Sequence, residues 1–242
     1  MLQIQTEDAI LDLGSGPGYF ANASIGQKAS TFCLDISLRN LLSIKAREDS
    51  TLSLINAEAE KLPFNNESFG KVLCSEVLEH IKADKAALKE ISRILKPGGI
   101  LVMSVPCSEL KVPTLIELLG MKTVHDYEGP EYHYHSGYTI AELNELVNAS
   151  DMVISDFVYF CHFFSKLALD IISICHLMIQ RIRTGKTAWH WVDIQDLSSS
   201  TSFKIYKVFF PLFLWASKLD GLFYLSPKAK GYGLIIKARK PL

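Results

Sequence analysis

The residues best equipped for chemistry gather early in the chain. Ile10-Leu11-Asp12-Leu13 is an apolar run carrying one aspartate, and Gly14-Ser15-Gly16-Pro17-Gly18 follows at once. That order suits a buried parallel strand running into a ligand-binding turn. Glycines at 14, 16 and 18 admit positive φ and put no side chain between backbone and ligand. A dinucleotide fold wants a third small residue three places after the second glycine, where this chain has Tyr19. The spacing therefore favours a nucleoside-like ligand without a pyrophosphate. Asp35 ends the next apolar stretch, Thr31 to Asp35, where a carboxylate can accept both hydroxyls of a ribose. Its competing role is to cap the helix that begins beyond Ile36-Ser37. Further on, Glu58 can accept an exocyclic amine, and the Ala59 amide can donate to a ring nitrogen.

A second polar group lies at 125–139, where His125, His133 and His135 alternate with Tyr127, Tyr132, Tyr134 and Tyr138 without apolar periodicity. Such a loop suits an acceptor-facing wall with one histidine as general base, and His133, His135 and Tyr138 are its candidates. A loop whose aromatics merely cover a sheet edge is nearly as well supported. A zinc site of His133, His135 and His125 lacks any cysteine or second carboxylate cluster, so no metal is expected. His80 ends the segment Glu76-Val77-Leu78-Glu79-His80, and its alternative is to cap a turn.

These residues need a scaffold, and the periodicities supply one. Strand patterns at Ile10–Leu13, Thr31–Asp35, Thr51–Ile55, Phe69–Ser75 and Ile100–Val105 alternate with helical patterns at Tyr19–Ile25, Ile36–Arg47 and Asp84–Leu95. That rhythm predicts a doubly wound, mostly parallel α/β sheet, with its ligand crevice beyond the carboxyl ends of the strands. Asp12, Asp35, Glu58 and the segment after Ser75 all fall at such ends. After the helix Ile140–Ala149, a sixth strand at Met152–Tyr159 and a seventh at Tyr232–Arg239 complete seven strands.

Four motifs in order give the chain a family likeness: Leu11–Gly18, Leu62-Pro63-Phe64, Glu76–His80 and Leu95-Lys96-Pro97-Gly98-Gly99. Together they resemble the class I S-adenosylmethionine-dependent methyltransferases, over roughly residues 9 to 106. The resemblance implies a Rossmann-like methyltransferase sheet and S-adenosyl-L-methionine as cofactor. Asp12 and the turn Gly14, Gly16, Gly18 would meet its methionine part, and Asp35 its ribose. Glu58 and Ala59 would border the adenine, and Ser75 and Glu76 would line the floor near the sulfonium. Glu58 replaces the aspartate usual in this branch, and Gly70 replaces the aspartate of its fourth strand. Only Met1 to Asp8 precede the first strand, where the family has one or two helices. A methyltransferase-like binding or scaffold protein with impaired catalysis is therefore the alternative.

Bulk properties narrow the rest. In 242 residues the formal net charge is −1, which leaves no footprint for nucleic acid. Five scattered cysteines read as thiols of a reducing, cytoplasmic compartment, and no signal peptide is apparent. Mean hydropathy is +0.17, high for a freely soluble enzyme. The excess lies between strands six and seven, so residues 1–160 and 230–242 are expected to form the α/β domain and 161–229 an apolar helical cap. In Phe157 to Ile179 and beyond, the polar residues His162, Lys166, Asp170, Ser173, His176, Gln180 and Arg183 step by three or four along one stripe. A membrane-spanning hairpin is disfavoured, because Lys166 and Asp170 would cost about 2.5–3.5 kcal/mol each near mid-bilayer. Two amphipathic helices fit better. They would meet a membrane surface or a small lipid-like acceptor, or pair two copies through residues 161–225.

Overall fold

The computed structural model describes residues 4–5, 8–20, 29–46, 52–110, 115–119, 132–184, 211, 214–215, 218–221 and 229–242. The expected helix at Tyr19–Ile25 beyond Phe20, His125 and most of the run from Phe203 to Leu225 lie outside the described residues. The strands are β1 (Ala9–Leu13), β2 (Ser30–Asp35), β3 (Leu52–Asn56), β4 (Phe69–Ser75), β5 (Leu95–Pro106), β6 (Val153–Phe160) and β7 (Gly233–Arg239). The helices are α1 (Leu38–Lys45), α2 (Asp84–Ile94), α3 (Leu115–Leu118), α4 (Ile140–Asn148) and α5 (Phe163–Thr184), with a 3-10 turn at Leu78–His80.

All seven strands form one sheet in the order β3-β2-β1-β4-β5-β7-β6. β1 pairs in parallel with β2 and β4, β2 with β3, and β4 with β5. β7 runs against β5: the Lys240 N–H donates to Gly99 O at 3.0 Å and the Cys107 N–H to Tyr232 O at 2.8 Å. The order reverses between β1 and β4, and in open α/β sheets that switch point, at the strands' carboxyl ends, is where ligands bind.

The chain divides into two compact units. The first comprises Met1–Pro106, Tyr134–Val158 and Leu234–Leu242, and the second Cys107–His133 and Tyr159–Gly233. The second unit thus takes in 107–133 as well as the apolar stretch before the last strand.

In the first unit β1 and β5 are apolar on both faces, with adjacent Ile10 and Leu11, and Leu101, Val102 and Met103, buried; Cys33, Val72, Cys74, Leu234 and Ile236 are buried beside them. Ala87, Leu88, Ile91 and Ile94, spaced for one helix face, bury the inner side of α2. The Leu62-Pro63-Phe64 motif has a structural cause. Phe64 lies edge-to-face on Phe69 at 4.8 Å and Phe32 at 6.2 Å. The Arg93 guanidinium donates to Phe64 O at 2.7 Å and Leu62 O at 3.0 Å, and Glu90 accepts the Leu62 N–H at 2.9 Å. The Glu90–Arg93 pair on α2 thereby clamps the loop that carries Glu58 and Ala59. The Arg93 charge and hydrogen bond in turn hold the Glu90 carboxyl below its ordinary range.

In the second unit the stripe on α5 has an unexpected setting. His162 and Asp170 are buried, while Phe163, Leu169 and Met178 are exposed. Asp170 pairs with Lys166 and accepts the Leu115 N–H at 2.8 Å, so α5 anchors α3 through a carboxylate. Asp220, also buried, caps α5 by accepting the N–H groups of Phe164 at 2.8 Å and Ser165 at 3.0 Å. Leu214 and Trp215 are exposed too. Among the described residues, no helix is long and apolar enough to cross a membrane.

Candidate functional site

β1 delivers the glycine turn to the switch point, and β2 delivers Asp35 beside it. The Gly14 and Ser15 N–H groups donate to Leu34 O at 2.7 and 3.0 Å, which staples the turn across the end of β2. Gly14, Gly16 and Gly18 have φ of 68°, 50° and 84°, the left-handed region that glycine tolerates. The three glycines serve different ends. A Cβ on Gly14 would meet Val77 Cγ2 at 2.2 Å, and one on Gly18 would meet Ile44 Cγ1 at 2.9 Å, so both allow close packing. A Cβ on Gly16 would meet nothing within 4 Å. Gly16 is therefore the point where a ligand can approach the backbone.

Asp35 is buried, and both its oxygens are engaged. Oδ2 accepts the Gly16 N–H at 2.7 Å; Oδ1 accepts the Ser37 N–H at 2.7 Å and the Asn40 side chain at 3.3 Å. The helix N-cap itself is Ser37, with Asp35 behind it. Ribose hydroxyls have to add to, or displace, these bonds. Asp12 is buried with Oδ2 unpartnered, and burial together with the nearby Asp35 charge pushes its carboxyl up to about 7. Ser15 Oγ is likewise buried and unpartnered. Orphaned polar atoms beside an uncovered glycine fit a polar ligand laid over the turn. At this edge they suit the amino-acid end of S-adenosylmethionine, and the residues present are compatible with that cofactor.

The other expected contacts lie along the same edge. Glu58 is exposed at the start of the loop after β3, and Ala59 next to it is buried. Ser75 is tied to β5 by a 2.8 Å hydroxyl pair with Ser104. The next residue, Glu76, reverses the chain with φ 53° and donates its N–H to Ser104 O at 3.0 Å. A non-glycine residue held in that conformation is strained, and its exposed carboxylate projects at the carboxyl end of β4.

The histidine–tyrosine loop is only partly described. Its first-unit portion folds onto the 3-10 turn, where Glu79 O accepts the Tyr134 N–H at 2.8 Å and the His135 N–H at 3.2 Å. His135 and Tyr138 come together, ring centroids 5.3 Å apart, around Asp84. His135 Nε2 lies 3.6 Å from Asp84 Oδ2, and the Tyr138 hydroxyl donates to the same oxygen at 3.2 Å. Tyr138 is buried, and burial beside Asp84 pushes its phenol far up. It therefore positions its neighbours and presents no hydroxyl to an acceptor. His133 is half-buried and falls in the second unit. Sequence reasoning overlooked Glu79, which is buried and lifted to about 8 by burial and the Glu76 charge. Only its place in the Glu76–His80 motif signalled it.

Comparison with known proteins points to a methyltransferase fold. Residues 11–103 match the family model described as "Methyltransferase domain". The chain is 31% identical over 135 residues to ubiquinone/menaquinone biosynthesis C-methyltransferase UbiE of Coxiella burnetii, covering 52% of each. It is 32% identical over 120 residues to demethylmenaquinone methyltransferase of Staphylococcus epidermidis, covering 47% of this chain and 48% of that one. The chain thus spans about half the length of the curated relatives it matches. Among solved structures, phosphoethanolamine N-methyltransferase 2 of Haemonchus contortus, in complex with S-adenosyl-L-methionine, superposes with a TM-score of 0.62 at 16% identity, covering 99% of this chain and 50% of that one. Residues 11–103 thus match a methyltransferase domain, and the sheet that holds them shares its fold with a solved methyltransferase.

Proposed function

We propose that this chain is an S-adenosylmethionine-dependent methyltransferase that transfers the methyl group in line to a small amphipathic, lipid-linked acceptor. The observation that carries the proposal is the open edge at Gly16, flanked by the unpartnered Asp12 Oδ2 and Ser15 Oγ and by Asp35. In this reading Gly14, Gly16 and Gly18 receive the methionine part and Asp35 the ribose. Glu58 and Ala59 border the adenine, and Ser75 and Glu76 the sulfonium. The bound cofactor supplies an already activated methyl group, so the protein's task is alignment and exclusion of water. His135 or His133 takes the acceptor's proton where one must leave, with Tyr138 and Asp84 setting the His135 ring.

The acceptor class draws support from two sources. Two of the relatives named above are a ubiquinone/menaquinone biosynthesis C-methyltransferase and a demethylmenaquinone methyltransferase. The second unit also exposes Phe163, Met178, Leu214 and Trp215, an apolar surface suited to peripheral contact with a membrane. No disulfide joins the five cysteines, in keeping with a cytoplasmic location. Methyl-labelled cofactor incubated with the protein and a cell extract tests the reading, with lipid and aqueous fractions counted separately. Label in the lipid fraction is expected; label confined to water-soluble products would remove the lipid-linked acceptor. A second reading, a binding protein without catalysis, is favoured by one feature: the Gly16 and Ser37 N–H groups already engage the Asp35 carboxylate. Cofactor binding without label transfer to any fraction would select it.

A further inference from the structure

The loop that carries Glu58 and Ala59 is tied down at both ends, and every tie lies within the first unit. At its start, the Asn56 side-chain amide donates to Asp35 O at 2.9 Å and Ile36 O at 2.8 Å, which joins the end of β3 to the end of β2. Glu58 and Ala59 follow, and the Lys61 N–H closes a turn on Glu58 O at 3.3 Å. At its far end, five hydrogen bonds engage the Arg93 guanidinium. Two go to Glu90, at 2.7 and 2.8 Å. Three go to the loop, to Phe64 O at 2.7 Å, Leu62 O at 3.0 Å and Asn66 Oδ1 at 3.0 Å. Glu90 completes the grip by accepting the Leu62 N–H at 2.9 Å. We propose that Glu90 and Arg93 are positioning residues for base specificity: by fixing the turn from Glu58 to Lys61, they make the site select adenine over a 6-oxopurine. The inference rests on the placement of the adenine beside Glu58 and Ala59 in the proposed function.

Adenine presents an exocyclic amine that donates and a ring nitrogen that accepts. The ionised Glu58 carboxylate only accepts, and the Ala59 N–H only donates, so the two match. Hypoxanthine reverses both groups, with a carbonyl oxygen in place of the amine and an N–H on the ring. Discrimination therefore depends on where two neighbouring loop groups stand, and it is lost when they wander. Glu58 is exposed, so its position comes from its backbone. That backbone is bonded to Lys61, and the next residue, Leu62, carries bonds to both Glu90 and Arg93. A shift at Leu62 thus passes to Glu58 within one turn. Lysine cannot replace Arg93 here, because an ammonium offers its donors from a single point and does not span Glu90 and the two loop carbonyls. Both clamp side chains are partly exposed and stand outside the buried set Ala87, Leu88, Ile91 and Ile94, so substituting them leaves the packed face of α2 intact.

Calorimetry on the full chain compares S-adenosylhomocysteine with S-inosylhomocysteine, its hypoxanthine counterpart. The unaltered chain is expected to prefer the adenine form roughly tenfold or more. In Arg93→Met that preference should shrink to about twofold or less, because the adenine form binds more weakly while the hypoxanthine form does not. Arg93→Lys, which keeps the charge and loses the fork, should lose the preference likewise, and it decides the matter should Arg93→Met fail to fold. Circular dichroism checks that each variant is folded. An unchanged preference in folded variants would overturn the proposal and leave the methyl-donor reading standing. Equal weakening toward both ligands, as a merely structural role would give, does the same. So does an unaltered chain that binds both ligands equally. Failure of the unaltered chain to bind either ligand would remove the methyl-donor reading and this inference with it.

Discussion

Replacing Gly14 by alanine separates the structural from the ligand-facing roles of the turn. The new Cβ would lie 2.2 Å from Val77 Cγ2 and 3.0 Å from Val77 Cγ1, at a φ of 68°. The left-handed conformation costs an L-residue roughly 1–2 kcal/mol, and forcing a methyl into a packed contact about 1–3 more. Gly14→Ala should therefore lose about 2–5 kcal/mol of stability. Gly16→Ala, at φ 50° with nothing within 4 Å, bears only the conformational part, roughly 1–2 kcal/mol. Urea denaturation of both variants at constant m-value measures the difference. Trimming Val77 to alanine in the Gly14→Ala background should recover the packing part and leave the conformational part. The ligand side is read by calorimetry with S-adenosylhomocysteine, in which Gly16→Ala should bind at least tenfold more weakly because its methyl enters the open space over the turn. Equal stabilities for the two variants would refute the packing argument. Unchanged affinity in Gly16→Ala would refute the placement of the ligand.

Other expectations follow from single features. Asp12 and Glu79 have carboxyls raised to about 7 and about 8, so the folded chain keeps protons that the unfolded chain has lost. Their contribution to stability is full below about pH 4 and declines as pH rises to about 8. Asp12→Asn should flatten that decline in urea midpoints measured between pH 5 and 8. Asp220→Ala removes the acceptor of two helix N–H groups and should loosen α5 by about 0.5–2 kcal/mol. Faster hydrogen exchange at Phe164 and Ser165 is the readout. Vesicles of mixed zwitterionic and anionic lipid should sediment with the protein, and Met178→Ser with Trp215→Ser should reduce that recovery severalfold. If the unaltered protein stays in the supernatant and elutes as a dimer, the apolar face pairs two copies.

Much of this arrangement was legible because its signals are local. The apolar runs of β1, β2, β4 and β5, and the Ala87-Leu88-Ile91-Ile94 face of α2, announce themselves by period and burial. Thr139 and Glu142 form a capping box that places the start of α4 at Ile140, as the sequence pattern predicts. What escaped is set by contacts distant in sequence. Glu90 and Arg93 clamp a loop some thirty residues upstream, which periodicity on α2 cannot reveal. Tyr138 reads as a polar loop residue until Asp84 and Leu78 bury its hydroxyl. Asp35 looks like a free carboxylate until the turn folds back onto it. On α5 the spacing finds the polar stripe but not its direction. Asp170 turns inward because the Leu115 N–H and Lys166 satisfy it there.

Titration calorimetry with S-adenosylmethionine, on the unaltered chain and on Asp35→Ala, tests the central claim most directly. Saturable one-to-one binding is expected for the first, with at least a tenfold loss for the second. No heat from the unaltered chain, or equal affinity in the variant, would contradict the assignment of this edge to the methyl donor.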